Sequence, residues 1–433
     1  MSNRSRSWVV KVVLAVAAAT SGAEAGTFGV NGHIPGPEVA DRIAETGATW
    51  VRIDMIWALV EPEPDRFDWT LYDQTVRHLE ERGLRIFATL QGTPGWATDG
   101  SEFSGVPREV GRWRRFCYRA AQRYRGRVDA WGLWNEPNLG RFWQGSRTEY
   151  LYDILLAGID AIEIADPGAF VVGPDLAHLQ SGDWDSWLRS VISTAGSRLD
   201  ALSHHTYPAN GRASDVTRWP ETGSSYPWDP PSVRSVLQGS GWWGRPFWLT
   251  ETGVESARYS EAGQQSFYSG LLADWFSTSR NHWWIDRVFF YEINDDPNAG
   301  STFGIVGPPP GLEPKPAFGT YRDFIAGADV DDAEVLGWSD SLVLPSAGRA
   351  TVELNLRNTG TTAWQSATGY SAQGTIDAPG WTVTGGQLPS GRTVHPGSSV
   401  TVSFVASLFQ VADIFRDWPG MLARPRKMVP GAT

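Results

Sequence analysis

The chain has 433 residues, 41% of them hydrophobic and 20% charged, with a formal net charge of −11 and a pI of about 5.2. That mixture excludes a chain disordered throughout. The acidic balance offers no basic face to neutralise a run of phosphates, so no nucleic-acid partner is expected. A single cysteine, Cys117, rules out an intrachain disulfide.

The first segment carries Arg4, Arg6 and Lys11, then an apolar run over 12–19, then Ala23, Glu24 and Ala25 ahead of Gly26. Basic residues, a short apolar core and an A-x-A site read as a cleaved, bacterial-type secretion signal over 1–25, which places the mature chain outside the cytoplasm. No later run reaches the roughly 20 apolar residues a bilayer crossing requires, so no membrane span is expected.

From Gly26 onward, short runs rich in β-branched and aromatic residues alternate with longer segments of helical period. The strands fall at 27–34, 49–57, 85–93, 128–138, 170–177, 201–208, 246–253 and 287–294. Eight such units predict a (β/α)8 TIM barrel, an α/β fold, over 26–328. A helix is expected over 68–82, with Asp68 as its N-cap and Gly83 as its stop. Gly and Pro dominate 307–316, and a helix over 316–325 closes the barrel. Beyond it, runs at 342–344, 350–356, 381–384 and 399–405 lack any helical period and predict a small β-sandwich over 329–409, followed by a poorly ordered tail over 410–433.

In such a barrel the chemistry lies at the carboxyl ends of the strands. Two glutamates stand there: Glu136 in Trp134-Asn135-Glu136-Pro137-Asn138 ends the fourth strand, and Glu251 in Leu249-Thr250-Glu251-Thr252-Gly253 ends the seventh. Each follows a run too apolar for the surface, where an ionised carboxylate is costly unless partners compensate. Paired, tuned carboxyls are what cleavage of a glycosidic bond needs, one protonated to help the leaving oxygen depart and one ionised to attack or to activate water. The bland alternative is two buried structural glutamates.

The Trp-Asn-Glu-Pro-Asn and Thr-Glu-Thr segments together resemble the retaining glycoside hydrolases of clan A. Phe289-Phe290-Tyr291-Glu292-Ile293-Asn294-Asp295, then Phe303-Gly304-Ile305 and Pro314-Lys315-Pro316-Ala317-Phe318, are similar to glycoside hydrolase family 39 and its relatives. The resemblance spans roughly 26–328 and implies that Glu136 is the general acid/base, Glu251 the nucleophile, and Asn135 a donor to the sugar 2-hydroxyl. It also sets a His and a Tyr, here His205 and Tyr207, near the nucleophile. At the other end, Asn358-Thr359-Gly360 with Trp364, and His395-Pro396-Gly397, resemble the immunoglobulin-like modules appended to secreted enzymes. Spacing is the default role for that module, with glycan or cell-surface contact as alternatives.

The supporting residues follow from strand alternation. Arg52 and Asp54 share the face opposite Val51, Ile53 and Met55, so Arg52 points into the barrel mouth, either to hold Glu251 ionised or as an ordinary structural ion pair. Ser203, His205 and Tyr207 share a face of the sixth strand. His204 and His205 diverge, which argues against a shared metal, and no HExxH or cysteine cluster is present. Gln91, Trp96, Trp134, Tyr291 and Glu292 are expected to contact sugar, since a pyranose offers an apolar face to a ring and hydroxyls to a polar rim. His33 and Asp175 end strands one and five, as substrate contacts or loop caps. Trp113, Trp187 and Trp275 are expected to pack helices, and Cys117 to be a buried, inert thiol.

The expectation is therefore a secreted retaining glycosidase acting on a polysaccharide or oligosaccharide, with no metal and no organic cofactor. Its rivals are a catalytically silent carbohydrate-binding protein and a transglycosylase on the same scaffold.

Overall fold

The computed structural model describes residues 28–177, 179, 182–223, 231–275 and 284–326, together with short strands before and after them. The chain divides into two compact units, Ala25–Gly327 and a second made of Met1–Glu24 with Ala328–Thr433.

In the first unit the eight expected strands are present as β1 (Phe28–His33), β2 (Trp50–Ile56), β3 (Arg85–Gln91), β4 (Ala130–Leu133), β5 (Val171–Leu176), β6 (Ala201–His205), β7 (Phe247–Thr252) and β8 (Arg287–Phe290). All neighbours are parallel, and β8 pairs with β1, closing the barrel. Helices connect the strands as a βαβ chain demands. Pro316–Ala326 is the helix after β8.

The lower half of the barrel interior is aromatic. Trp248 of β7 lies with its ring centroid 5.5 Å from Trp50, 5.7 Å from Phe87, 6.0 Å from Phe289 and 5.5 Å from Phe170. Each such fully buried ring contributes roughly 1.5–3 kcal/mol. Arg85 and Arg287 lay their guanidinium groups over Trp50 at 4.1 and 4.7 Å, closing the floor with cation–π contacts. Gly29 is required here, because a Cβ at that position would stand 2.4 Å from the Phe289 ring.

Boundaries moved where the chain turns into the mouth. The fourth strand ends at Leu133, short of the expected 138, and the eighth at Phe290, short of 294. Trp134 and Glu136 have φ of 77° and 44°, and His33 and Asp175, at or near the ends of β1 and β5, have 54° and 50°. Non-glycine residues pay for this conformation, which terminates a strand and persists where surrounding contacts hold it. The helix expected over 68–82 runs Thr70–Glu80 with Trp69, not Asp68, at its N-cap; Asp68 accepts from the Thr70 N–H at 2.9 Å, and Gly83 follows the helix at φ 69°. Cys117 is buried in the helix Val110–Arg123, where burial pushes its thiol well up.

Trp143, Trp219 and Trp242 are buried, as are Trp113, Trp187 and Trp275 in their helices. Among the described residues no helix is long and apolar enough to cross a membrane.

In the second unit, Ala333–Trp338, Arg349–Asn358, Ser399–Leu408 and Trp381–Gly385 form an antiparallel sheet in that order. Within the run read as a leader, Val12–Ala17 pairs antiparallel with Ser371–Ile376, and Trp8–Val9 with Val343–Leu344. A short all-apolar run suits a signal core and a strand equally, because it carries no period of its own. The expected tail over 410–433 lies outside the described residues.

Candidate active site

Above the aromatic floor the interior becomes polar, and Arg52 is its hub. Projecting from β2, it is 2% exposed and donates from Nη1 to Asn31 Oδ1 at 3.1 Å and Glu251 Oε1 at 2.8 Å. From Nη2 it donates to Asn135 Oδ1 at 2.7 Å and Asp175 Oδ2 at 3.0 Å. Burial alone would discharge a cation, but Asp175 and Glu251 hold the guanidinium charged, so its proton affinity is raised. The planar fork thus ties β1, β2, β5, β7 and the loop after β4 into one network.

Glu251 is held at both oxygens. Arg52 serves Oε1, and the Tyr207 hydroxyl donates to Oε2 at 2.7 Å. Glu136, on the loop leaving β4, meets His205 Nδ1 at 2.9 Å through Oε1 and accepts from Arg141 Nη2 at 3.1 Å through Oε2. His205 Nδ1 also lies 3.3 Å from Glu251 Oε2. The imidazole therefore stands between the two carboxyls. One ligand atom from each of Glu136, His205 and Glu251 falls within 4.8 Å of the others.

Those three atoms are close enough for a shared cation, a cluster that strand alternation within β6 did not reveal. The donor set fits a metal poorly, because Arg52, Arg141 and the Tyr207 hydroxyl already direct positive charge and hydrogens at the same carboxylates.

The electrostatics invert the expected division of labour. Burial works to raise both carboxyls. At Glu136 the His205 and Arg141 contacts outweigh it and pull the carboxyl down to about 2. At Glu251 burial prevails over His205 and Arg52, with the Glu136 charge adding to it, and the carboxyl is raised. Glu136, the residue expected to hold the proton, is thus drawn towards its ionised form. His205, against its inner oxygen, is the larger cause, and Arg141, which caps its outward oxygen, adds to it.

A second polar cluster lines the mouth at β1, β2 and β8. His33 Nδ1 lies 2.7 Å from Asp54 Oδ2, and its Nε2 lies 2.7 Å from Glu292 Oε2. Gln91 Nε2 donates to Asp54 Oδ1 at 3.0 Å, and Ser301 donates to Glu292. Although burial lowers an imidazole, two flanking carboxylates raise His33 well above its ordinary value. Tyr291, Tyr207 and Phe303 form an aromatic wall beside it, with His33 edge-on to Tyr291 at 5.4 Å and Tyr291 5.4 Å from Phe303.

Trp134, Trp96 and Asp175, candidates from the sequence for sugar contact, are each engaged within the protein. Trp134 is buried, donates to the Phe142 carbonyl at 2.8 Å and packs on Trp143 and Trp113. Its positive φ turns the ring into the helical layer. Trp96 gives its N–H to the Glu61 carbonyl at 2.8 Å and sits edge-on to Trp57, again in the helical layer. Asp175 is buried, with Oδ2 taken by Arg52 and Oδ1 by the Thr250 hydroxyl at 2.7 Å, so it orients Arg52 rather than facing the cleft. His204 turns away from His205, its ring edge-on to Trp184.

Asn31 and Arg141 were missed. Asn31 sits two residues before His33 on the inward face, a signal alternation offers; it anchors Arg52 and donates to the Thr250 carbonyl at 3.1 Å. Arg141 lies on a loop, where no period marks it.

Fold and site together define an eight-stranded α/β barrel with a carboxylate pair at its mouth. Solved structures it is similar to include glycoside hydrolases. A family 39 glycoside hydrolase from Bacteroides cellulosilyticus WH2 matches with a TM-score of 0.58 at 17% identity, over 90% of this chain and 82% of that one. A family 39 β-xylosidase from Caulobacter crescentus matches at 0.55 and 20% identity, over 79% of this chain and 80% of that one. A family 5 enzyme from Streptomyces cattleya matches at 0.52 and 17% identity, over 69% and 80%. At these identities the likeness is one of fold. A β-galactosidase of Thermus thermophilus is 42% identical over 83 residues, which are 18% of this chain and 13% of that protein. No family model matches.

Proposed function

We propose that the protein is a secreted retaining glycosidase that cleaves O-glycosidic bonds of a polysaccharide or oligosaccharide. The observation that carries this reading is the close approach of Glu136 and Glu251 around His205 Nδ1, their nearest ligand atoms within 4.8 Å. A short separation leaves no room for a water between carboxyl and sugar, and suits direct attack by one of them.

In the first step a Glu251 oxygen attacks the anomeric carbon, the bond to the leaving oxygen breaks, and Glu136 gives that oxygen a proton. Arg52 and Tyr207, one at each Glu251 oxygen, sustain the negative charge that attacks. A glycosyl ester on Glu251 results. In the second step Glu136, now ionised, takes a proton from water as the water oxygen displaces Glu251, and the anomeric configuration is kept. Glu136 must be protonated when substrate is bound; a sugar filling the cleft removes water from it, adding to the burial effect that already raises it. Asn135, held by Arg52 at 2.7 Å, is positioned for the sugar 2-hydroxyl.

The test is covalent trapping. A 2-deoxy-2-fluoro glycosyl fluoride of an accepted sugar slows the second step, and peptide mass spectrometry should then find the glycosyl adduct on Glu251. An adduct on another residue, or products of inverted configuration, overturns the assignment.

A further inference from the structure

The loop after β4 brings Arg141 to the outward oxygen of Glu136. Its Nη2 lies 3.1 Å from Oε2, while Oε1 is turned inward to His205 and, beyond it, Glu251. The Arg141 side chain is 69% exposed, with its guanidinium 4.5 Å from the Phe142 ring centroid. With Oε1 engaged inside, Oε2 is the oxygen left to meet a leaving group, so Arg141 stands where that leaving group must arrive. The pair joins a buried carboxyl to a guanidinium whose side chain lies largely in solvent, so Arg141 can leave Glu136 for another anion without itself being buried. A guanidinium offers five donors in a planar fork that matches a carboxylate, and Glu136 takes one of them.

We propose that Arg141 builds the leaving-group subsite and recognises a carboxylate on the departing sugar, so that the protein cleaves beside an acidic residue of its glycan. The proposal rests on the glycosidase reading above. Glu136 is faced by His205 from β6, by Glu251 from β7, and by Arg141 from its own loop, with Arg52 and Asp175 behind. Of these, Arg141 is the exposed one, free to exchange partners. When a substrate carboxylate takes the guanidinium, Glu136 loses the cation on its outward oxygen and is more readily protonated for its acid role. Recognition of the correct leaving group and readiness of the acid are then one event. No covalent step is added by Arg141 itself.

Matched aryl β-glycosides test this: 3-carboxyphenyl, 3-sulfophenyl and neutral 3-carbamoylphenyl, each in the xylo, gluco, galacto and manno series. The full-length protein should prefer the carboxyphenyl over the carbamoylphenyl substrate by about tenfold in kcat/KM, the scale of one charge-assisted hydrogen bond. Arg141→Gln should erase that preference and Arg141→Lys should restore part of it. Arg141→Gln should also move the alkaline limb of kcat for the carbamoylphenyl substrate to higher pH, since a cation has left the acid. The same carboxyl preference in wild type and Arg141→Gln, or preference for the sulfonate alone, overturns the proposal and leaves the glycosidase reading intact. No wild-type turnover in any series overturns the reading, and the proposal with it.

Discussion

Arg52 Nη1 donates to Glu251 Oε1 at 2.8 Å across the barrel mouth, from the second strand to the seventh. Because the same guanidinium also neutralises Asp175, its loss strands two buried carboxylates. Arg52→Met should cost about 3–5 kcal/mol, the scale for breaking a buried pair. Denaturant unfolding measures it, and a midpoint indistinguishable from wild type would show that the network is not coupled to the fold. Arg52→Lys keeps the charge but not the fork, and should lose turnover more than stability.

The His33 clamp makes stability depend on pH in a defined direction. A histidine whose folded value is raised contributes stability that is fully present below its unfolded value of 6.5 and lost as pH rises through the folded one. Asp54, lowered from 3.8 by His33 and Arg52 against its burial, contributes stability above that value and loses it in acid. The melting-temperature difference between wild type and His33→Asn should therefore be largest between about pH 4 and 6.5 and shrink on the alkaline side. Calorimetry across pH 4–9 checks this; a difference that grows with alkalinity contradicts the clamp.

Removing the acid/base group should hurt in proportion to how much help the leaving group needs. Glu136→Ala should retain appreciable turnover of aryl glycosides with acidic phenols and lose about 10²–10⁴-fold on alkyl glycosides. Azide should rescue Glu136→Ala with retained configuration and Glu251→Ala with inverted configuration. Rescue of both with the same configuration would mean the two roles are misassigned.

Cys117 should not react with a thiol-specific aromatic disulfide in the native protein and should react at once on unfolding, because its thiol is buried and pushed up. Native reactivity would show that the helix Val110–Arg123 opens locally.

Export carries its own outcome. N-terminal sequencing of protein recovered outside the cells should begin at Gly26, and the barrel, whose sheet closes within Ala25–Gly327, should melt as before without residues 1–25. A mature chain still beginning at Met1 would instead favour the pairing of Val12–Ala17 with Ser371–Ile376 as its working state.

What could be read from residues alone was whatever repeats locally. Eight strand-and-helix alternations gave the closed barrel, because a period of two or 3.6 is written along each segment. The inward direction of Arg52, Ser203 and His205 followed from the same alternation, and the Asn-Glu-Pro and Thr-Glu-Thr segments marked the carboxylates. Distances between strands are not local. That His205 stands between Glu136 and Glu251, that Asp175 serves Arg52, and that His33 joins Asp54 to Glu292 were decided by closure, which brings residues 21 to 259 positions apart within reach of one another. The two failures that matter share one cause. Trp134 turned into the helical layer and Arg141 onto Glu136 at a point where the backbone leaves its strand with positive φ, and beyond that turn alternation no longer says which way a side chain faces.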